Sequence, residues 1–228
     1  MTSITANCRD QLTAEDFRAI GVTLSKDPQK TASLTALLTD PAARDAALES
    51  EQLFRALLES PECMAVSPRL YFYVLTRRLL SEFDREIADY IASLLTAFLD
   101  VRRLRSLPHL PGQCADHVAD MLAALTAASS EIEFHVRVHV GNYSLFMSGI
   151  FPEHLRHRAS VRGAPDISFY EEVGSTNYRL ASGHRLAHHH ALADVYRTIA
   201  DRFSEVRRDL NRLSDELLCL EPVWSPAQ

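Results

Sequence analysis

The chain has 228 residues, a formal net charge of −6, 46% hydrophobic residues and only 7 glycines beside 10 prolines. Globular proteins carry about 7% glycine. Less than half of that argues against the Gly-rich turns of a β-sandwich or barrel, and against the glycine fingerprint of a doubly wound nucleotide-binding domain. Abundant Leu and Ala, which lose little on entering a helix, point to an all-α protein. The expectation is a single domain, 1–228, built as a multi-helix bundle of about seven to nine helices. Within it, N-terminal helices (1–106) precede a His- and Gly-containing set (114–220).

The chain reads as capped helices in succession. Thr13 with Asp16 has the spacing of a capping box and opens a short helix through Ile20. A second helix covers Lys30 to Leu38. Asp40-Pro41 pairs an N-cap with proline at the first helical position, where a missing N–H costs nothing. The helix it opens is expected to run to Ser60-Pro61. Ser67-Pro68 repeats the signal, and Asp84 opens a further helix with apolar residues at three- and four-residue spacing from Ile87 to Phe98. Residues 104–113, with Pro108, Pro111 and Gly112, read as a loop. A helix follows from Asp116 to Ala128.

Residues 131–140 alternate polar and apolar without a fault, as a half-buried strand would. No second alternating run exists to pair with it, so only the same strand of another subunit could complete a sheet. Helical spacing beyond Val140 favours one helix from Ser130 to Ile150. Pro152 opens a short helix ending near Gly163. Ser168 with Glu171 predicts a capping box for a helix running to Ser182. His184 to Leu220 reads as one long helix, with a break expected near Phe203-Ser204 and an apolar edge of Leu210, Leu213, Leu217 and Leu218. The tail 221–228 is expected to be irregular.

Charge and targeting narrow the function classes. A negative chain without a basic tail lacks the electrostatic footprint of a nucleic-acid binder. No stretch reaches the roughly 18–20 apolar residues of a membrane span, and the first residues lack a basic start and an apolar run. A cytoplasmic protein without membrane contact is expected. Cys8, Cys63, Cys114 and Cys219 form no C-x-x-C pair and read as reduced, mostly buried thiols, with Cys114 near a helix cap.

Eight of the ten histidines and five of the seven glycines fall between residues 131 and 195. Three constellations lie there. His135 and His139 share a helix face with Glu131 one turn earlier, and His184 and His188 repeat the i, i+4 spacing. Together they could supply nitrogen and oxygen ligands to one transition metal such as Zn or Fe. No Glu separates the first pair, so a zinc-protease helix is not written here. His154 to Pro165 contains no acid but holds His154, Arg156, His157, Arg158 and Arg162, an arrangement suited to an anion; free N–H groups at a helix opened by Pro152 would add to it. Asn142, Tyr143, Tyr170, Tyr178 and Arg179 set polar groups among aromatics, as pocket walls and helix–helix contacts both do. Neither a nucleophile elbow nor a phosphate loop occurs. The reading is a non-enzymatic helical protein without a cofactor and with an interaction or regulatory role, partnered by another protein or by itself as a homodimer. A metal-binding protein and a regulator binding a small anion are the alternatives.

Overall fold

The computed structural model describes residues 4–25, 27–59, 66–110, 115 and 117–217. Cys63, Cys114, Cys219, Leu218, the Ser60-Pro61 stop and the tail 221–228 lie outside them. Among the described residues there are fourteen α-helices and no strand, more helices than the seven to nine expected. The chain divides into two compact units, one spanning Ile4–Ala97 and the other beginning at Phe98.

The first unit holds α1 (Ala14–Leu24), α2 (Pro28–Leu37), α3 (Pro41–Leu48), α4 (Glu51–Glu59), α5 (Pro68–Leu79) and most of α6 (Arg85–Phe98). Three of these helices, α2, α3 and α5, begin with an Asp or Ser cap followed by proline. The Thr13–Asp16 capping box forms as its spacing predicts. The Asp16 carboxylate is buried and does more than cap. It accepts the Ser67 N–H (2.7 Å) and Ser67 hydroxyl (2.8 Å), so one side chain ties the starts of α1 and α5 together. The single helix expected after Pro41 is two. Ser50 accepts the Leu53 N–H and opens α4, a local hydrogen bond that competes with continuing the preceding helix.

The second unit contains α7 (Val101–Arg105), α8 (Val118–Ala123), α9 (Ser130–Ile150), α10 (Pro152–Arg162), α11 (Ile167–Ser182), α12 (Arg185–His189), α13 (Ala193–Asp201) and α14 (Phe203–Arg212). The alternating run 131–140 is helical, within the span that the spacing predicts. Helix α9 as a whole finds its neighbours in α8, α11 and α14 rather than in a strand, and Phe134, His135, Val136, Val138, His139 and Val140 of the run are buried. Close packing rests on glycine. A Cβ at Gly141 would lie 2.9 Å from the Tyr178 ring, at Gly149 2.8 Å from Leu210 Cβ, and at Gly174 2.5 Å from the Phe203 ring. Gly163, at φ 59°, closes α10 in the left-handed conformation that glycine adopts without steric cost.

Two boundaries differ from the sequence expectation. α11 is capped by Asp166, whose carboxylate accepts the Phe169 N–H, while Ser168 donates to that same carboxylate instead of capping. The long helix expected from His184 is three helices. Ala191 sits at φ 55°; the Leu192 N–H reaches the Ala187 carbonyl (2.8 Å) and the Ala191 N–H the His188 carbonyl (3.1 Å). This is a Schellman turn with alanine where glycine is usual, so the sequence carries no mark of it. Burial of Leu192 accompanies the turn. The second break, at Arg202, falls beside the expected Phe203-Ser204 position.

Candidate functional site

Several polar side chains inside the second unit join helices. His139, 3% exposed, lies 3.1 Å through Nε2 from the Leu104 carbonyl, so that nitrogen donates. The Tyr178 hydroxyl donates to Asn142 Oδ1 (2.6 Å), linking α11 to α9. Asn177 donates to the Val173 carbonyl and accepts from Arg137. Asn211 on α14 donates to the Ser148 and Gly149 carbonyls at the end of α9. Tyr143 and Tyr170 are both buried in one apolar cluster with Val136, Val140, Met121 and Leu155. Arg179 is exposed and paired with Asp201 at 3.0 Å. The structure therefore places Asn142, Tyr143, Tyr170 and Tyr178 in the core, and Arg179 outside it.

The histidines named as metal ligands occupy different surroundings. The His135 ring lies against that of His109, centroids 4.2 Å apart. His184 caps its own helix: Nδ1 accepts the Leu186 N–H, so the neutral ring carries its proton on Nε2, 2.9 Å from Ser130 Oγ. The same ring stacks on Phe134. Glu131 and His188 are exposed. Among the described residues no three His, Cys, Asp or Glu side chains come together as a metal ion requires. Burial pushes His135 and His139 down to about 4. His109 adds to the shift at His135, while the Leu104 carbonyl opposes it at His139. His109 sits at φ 60°, in a loop whose approach to His135 no spacing rule announces.

A second group escaped the sequence reading altogether. In the first unit Arg9 donates through its backbone N–H and Nε to the Asp89 carboxylate (both 3.1 Å) and through Nη1 to Asp45. Its guanidinium lies over the Tyr73 ring. Asp89 is 1% exposed, and burial raises its pKa against the pull of Arg9. Neighbouring Cys8 is buried with its thiol pushed up to about 12, chiefly by burial and then by Asp89, which makes it a poor nucleophile. This cluster anchors the N-terminal segment. Residues 80 apart in sequence leave no local signature of such a pair.

The third constellation is on the surface. Only Pro152 and Leu155 of α10 are buried. His154, His157, Arg158, Val161 and Arg162 recur at i, i+3, i+4, i+7 and i+8, one face of the helix, over a length of about 12 Å. Four of them are exposed and Arg158 is half-buried. Arg156 lies off this face and pairs with Glu153. Partial burial, and after it the charges of Arg158, His157 and Arg162, hold the His154 pKa below the usual value. Among the described residues neither Arg158 nor Arg162 has an ion-pair partner. A groove of about 360 Å³ between α11 and the start of α14 is lined by Glu171, Glu172, Asp201, Arg202 and Glu205. Most of this charge is spent internally: Arg207 pairs with Glu171, Arg179 with Asp201 and Arg202 with Glu205.

No protein-family model matches this chain, and no curated protein or solved structure is similar to it.

Proposed function

We propose that the chain is a non-enzymatic docking protein that holds an acidic segment of a partner protein on the exposed face of α10. The observation that carries this reading is the stripe of basic side chains His154, His157, Arg158 and Arg162. It sits at the spacing that a helix ordinarily uses to bury apolar residues, yet it is turned outward. An 11-residue helix that contributes two buried residues to the core does little for packing. Val161, 65% exposed at the centre of the stripe, gives the face an apolar contact beside its charges. That mixture suits a segment of alternating acidic and apolar residues. A polyphosphate would meet long-range repulsion from a chain of net charge −6. A membrane surface would need a broader apolar face.

The test is fluorescence anisotropy with a short labelled peptide of alternating Glu and Leu, beside the same peptide with Lys for Glu. The acidic peptide is expected to bind and the basic one not, with affinity falling as salt rises past about 0.1 M. Arg158→Glu with Arg162→Glu should weaken binding about tenfold or more, while Arg179→Ala leaves it unchanged. Tighter binding to duplex DNA or to anionic phospholipid vesicles would overturn the reading. Displacement of the peptide by inorganic phosphate at matched ionic strength would replace it with a small-anion site.

A further inference from the structure

We propose that docking on this face is proton-linked: His154 takes up a proton as an acidic segment binds, so the complex tightens as pH falls from about 7.5 to about 5.5. The inference rests on the α10 docking reading and concerns how that site is regulated. Histidine is the side chain whose ordinary titration falls in this range, and here two of them alternate with permanent guanidinium charges along one stripe. In the free protein partial burial favours the neutral His154 ring, and the permanent charges acting on it, Arg158 and Arg162, are cations that favour it further. α10 packs on α9 and α11, and the titratable groups they set in the cluster around Leu155 are phenols, Tyr143 and Tyr170. Of these, Tyr170 has Arg158 as the charge acting on it. The one carboxylate on α10, Glu153, is engaged by Arg156.

A carboxylate laid along the stripe by a partner reverses the sign of the field at His154. It attracts the protonated form that the free face repels. A site that binds protons more strongly in the complex than when free must bind its ligand more tightly at lower pH, by the reciprocity of linked equilibria. Each unit by which a histidine pKa rises on docking permits up to about a tenfold gain in affinity. Glutamates of the probe stay ionised down to about pH 5, so the ligand itself does not set the trend.

The experiment measures the dissociation constant of the Glu/Leu peptide at pH 7.5 and pH 5.5 at fixed ionic strength. Wild type is expected to tighten about three- to tenfold at the lower pH. His154→Gln with His157→Gln should bind weakly and equally at both values. His154→Lys with His157→Lys should bind at both as wild type does at pH 5.5. All four substitutions fall on exposed positions and leave Pro152 and Leu155 in place. Equal wild-type affinity at the two pH values, or a pH response surviving in the Gln variant, overturns the linkage while leaving docking intact. Absence of binding at both values overturns the docking reading and the linkage with it.

Discussion

His139 shows how a polar residue that reads as a ligand is committed to the fold instead. Its near-complete burial favours the neutral ring, and the Leu104 carbonyl that accepts its Nε2 proton offsets only part of that preference. The folded-state pKa of about 4 lies below the ordinary 6.5. Below pH 6.5 the unfolded chain therefore binds a proton that the folded chain refuses, and stability is lost as pH falls from about 6.5 towards 4. The loss should be about 2–3 kcal/mol for this residue, with a contribution of the same sign from His135. Urea melts across that window should show the midpoint falling, and His139→Gln, which keeps a donor near the Nε2 position, should remove much of the slope. A slope unchanged in the variant would show that other groups carry it. The concentration of histidines was legible in the sequence. Their partners were not, because a backbone carbonyl such as that of Leu104 and a loop ring such as His109 have no residue-type signature.

Among elements, caps were read correctly where a single local hydrogen bond decides them, as at Thr13, Asp40 and Ser67. At Ser168 two adjacent polar residues competed and Asp166 took the cap. The Ala191 turn is the instructive failure. A left-handed alanine is held by two backbone hydrogen bonds and by burial of Leu192, and tertiary burial overrides a local preference. Ala191→Gly should raise stability by about 0.5–1 kcal/mol, the left-handed cost less the extra chain entropy of glycine. Thermal unfolding checks this, and a drop would argue that the turn is not strained. Gly149→Ala should act oppositely, by about 1–3 kcal/mol of overpacking, because its Cβ would meet the root of the Leu210 side chain rather than a flexible end. Full stability in that variant would show that α9 and α14 can separate freely.

Over the whole molecule, a chain of net charge −6 sets His154, Arg156, His157, Arg158 and Arg162, with no acid among them, on a largely exposed helix that invests little in the core. The helix count exceeded expectation in part because short breaks at Ser50 and Ala191 need neither Gly nor Pro. By itself the sequence determined the helical class, the extent of α9 and the cationic run of α10, since these follow from glycine scarcity, apolar spacing and the absence of acids between His154 and Pro165. Tertiary structure alone decided which polar groups remain available. Asn142, Tyr178 and His139 are used up by partners 35 or more residues away, whereas Arg158 and Arg162 face outward with none among the described residues. Hydrogen bonds and ion pairs act over a few ångströms, and only folding brings residues so far apart in sequence within that reach.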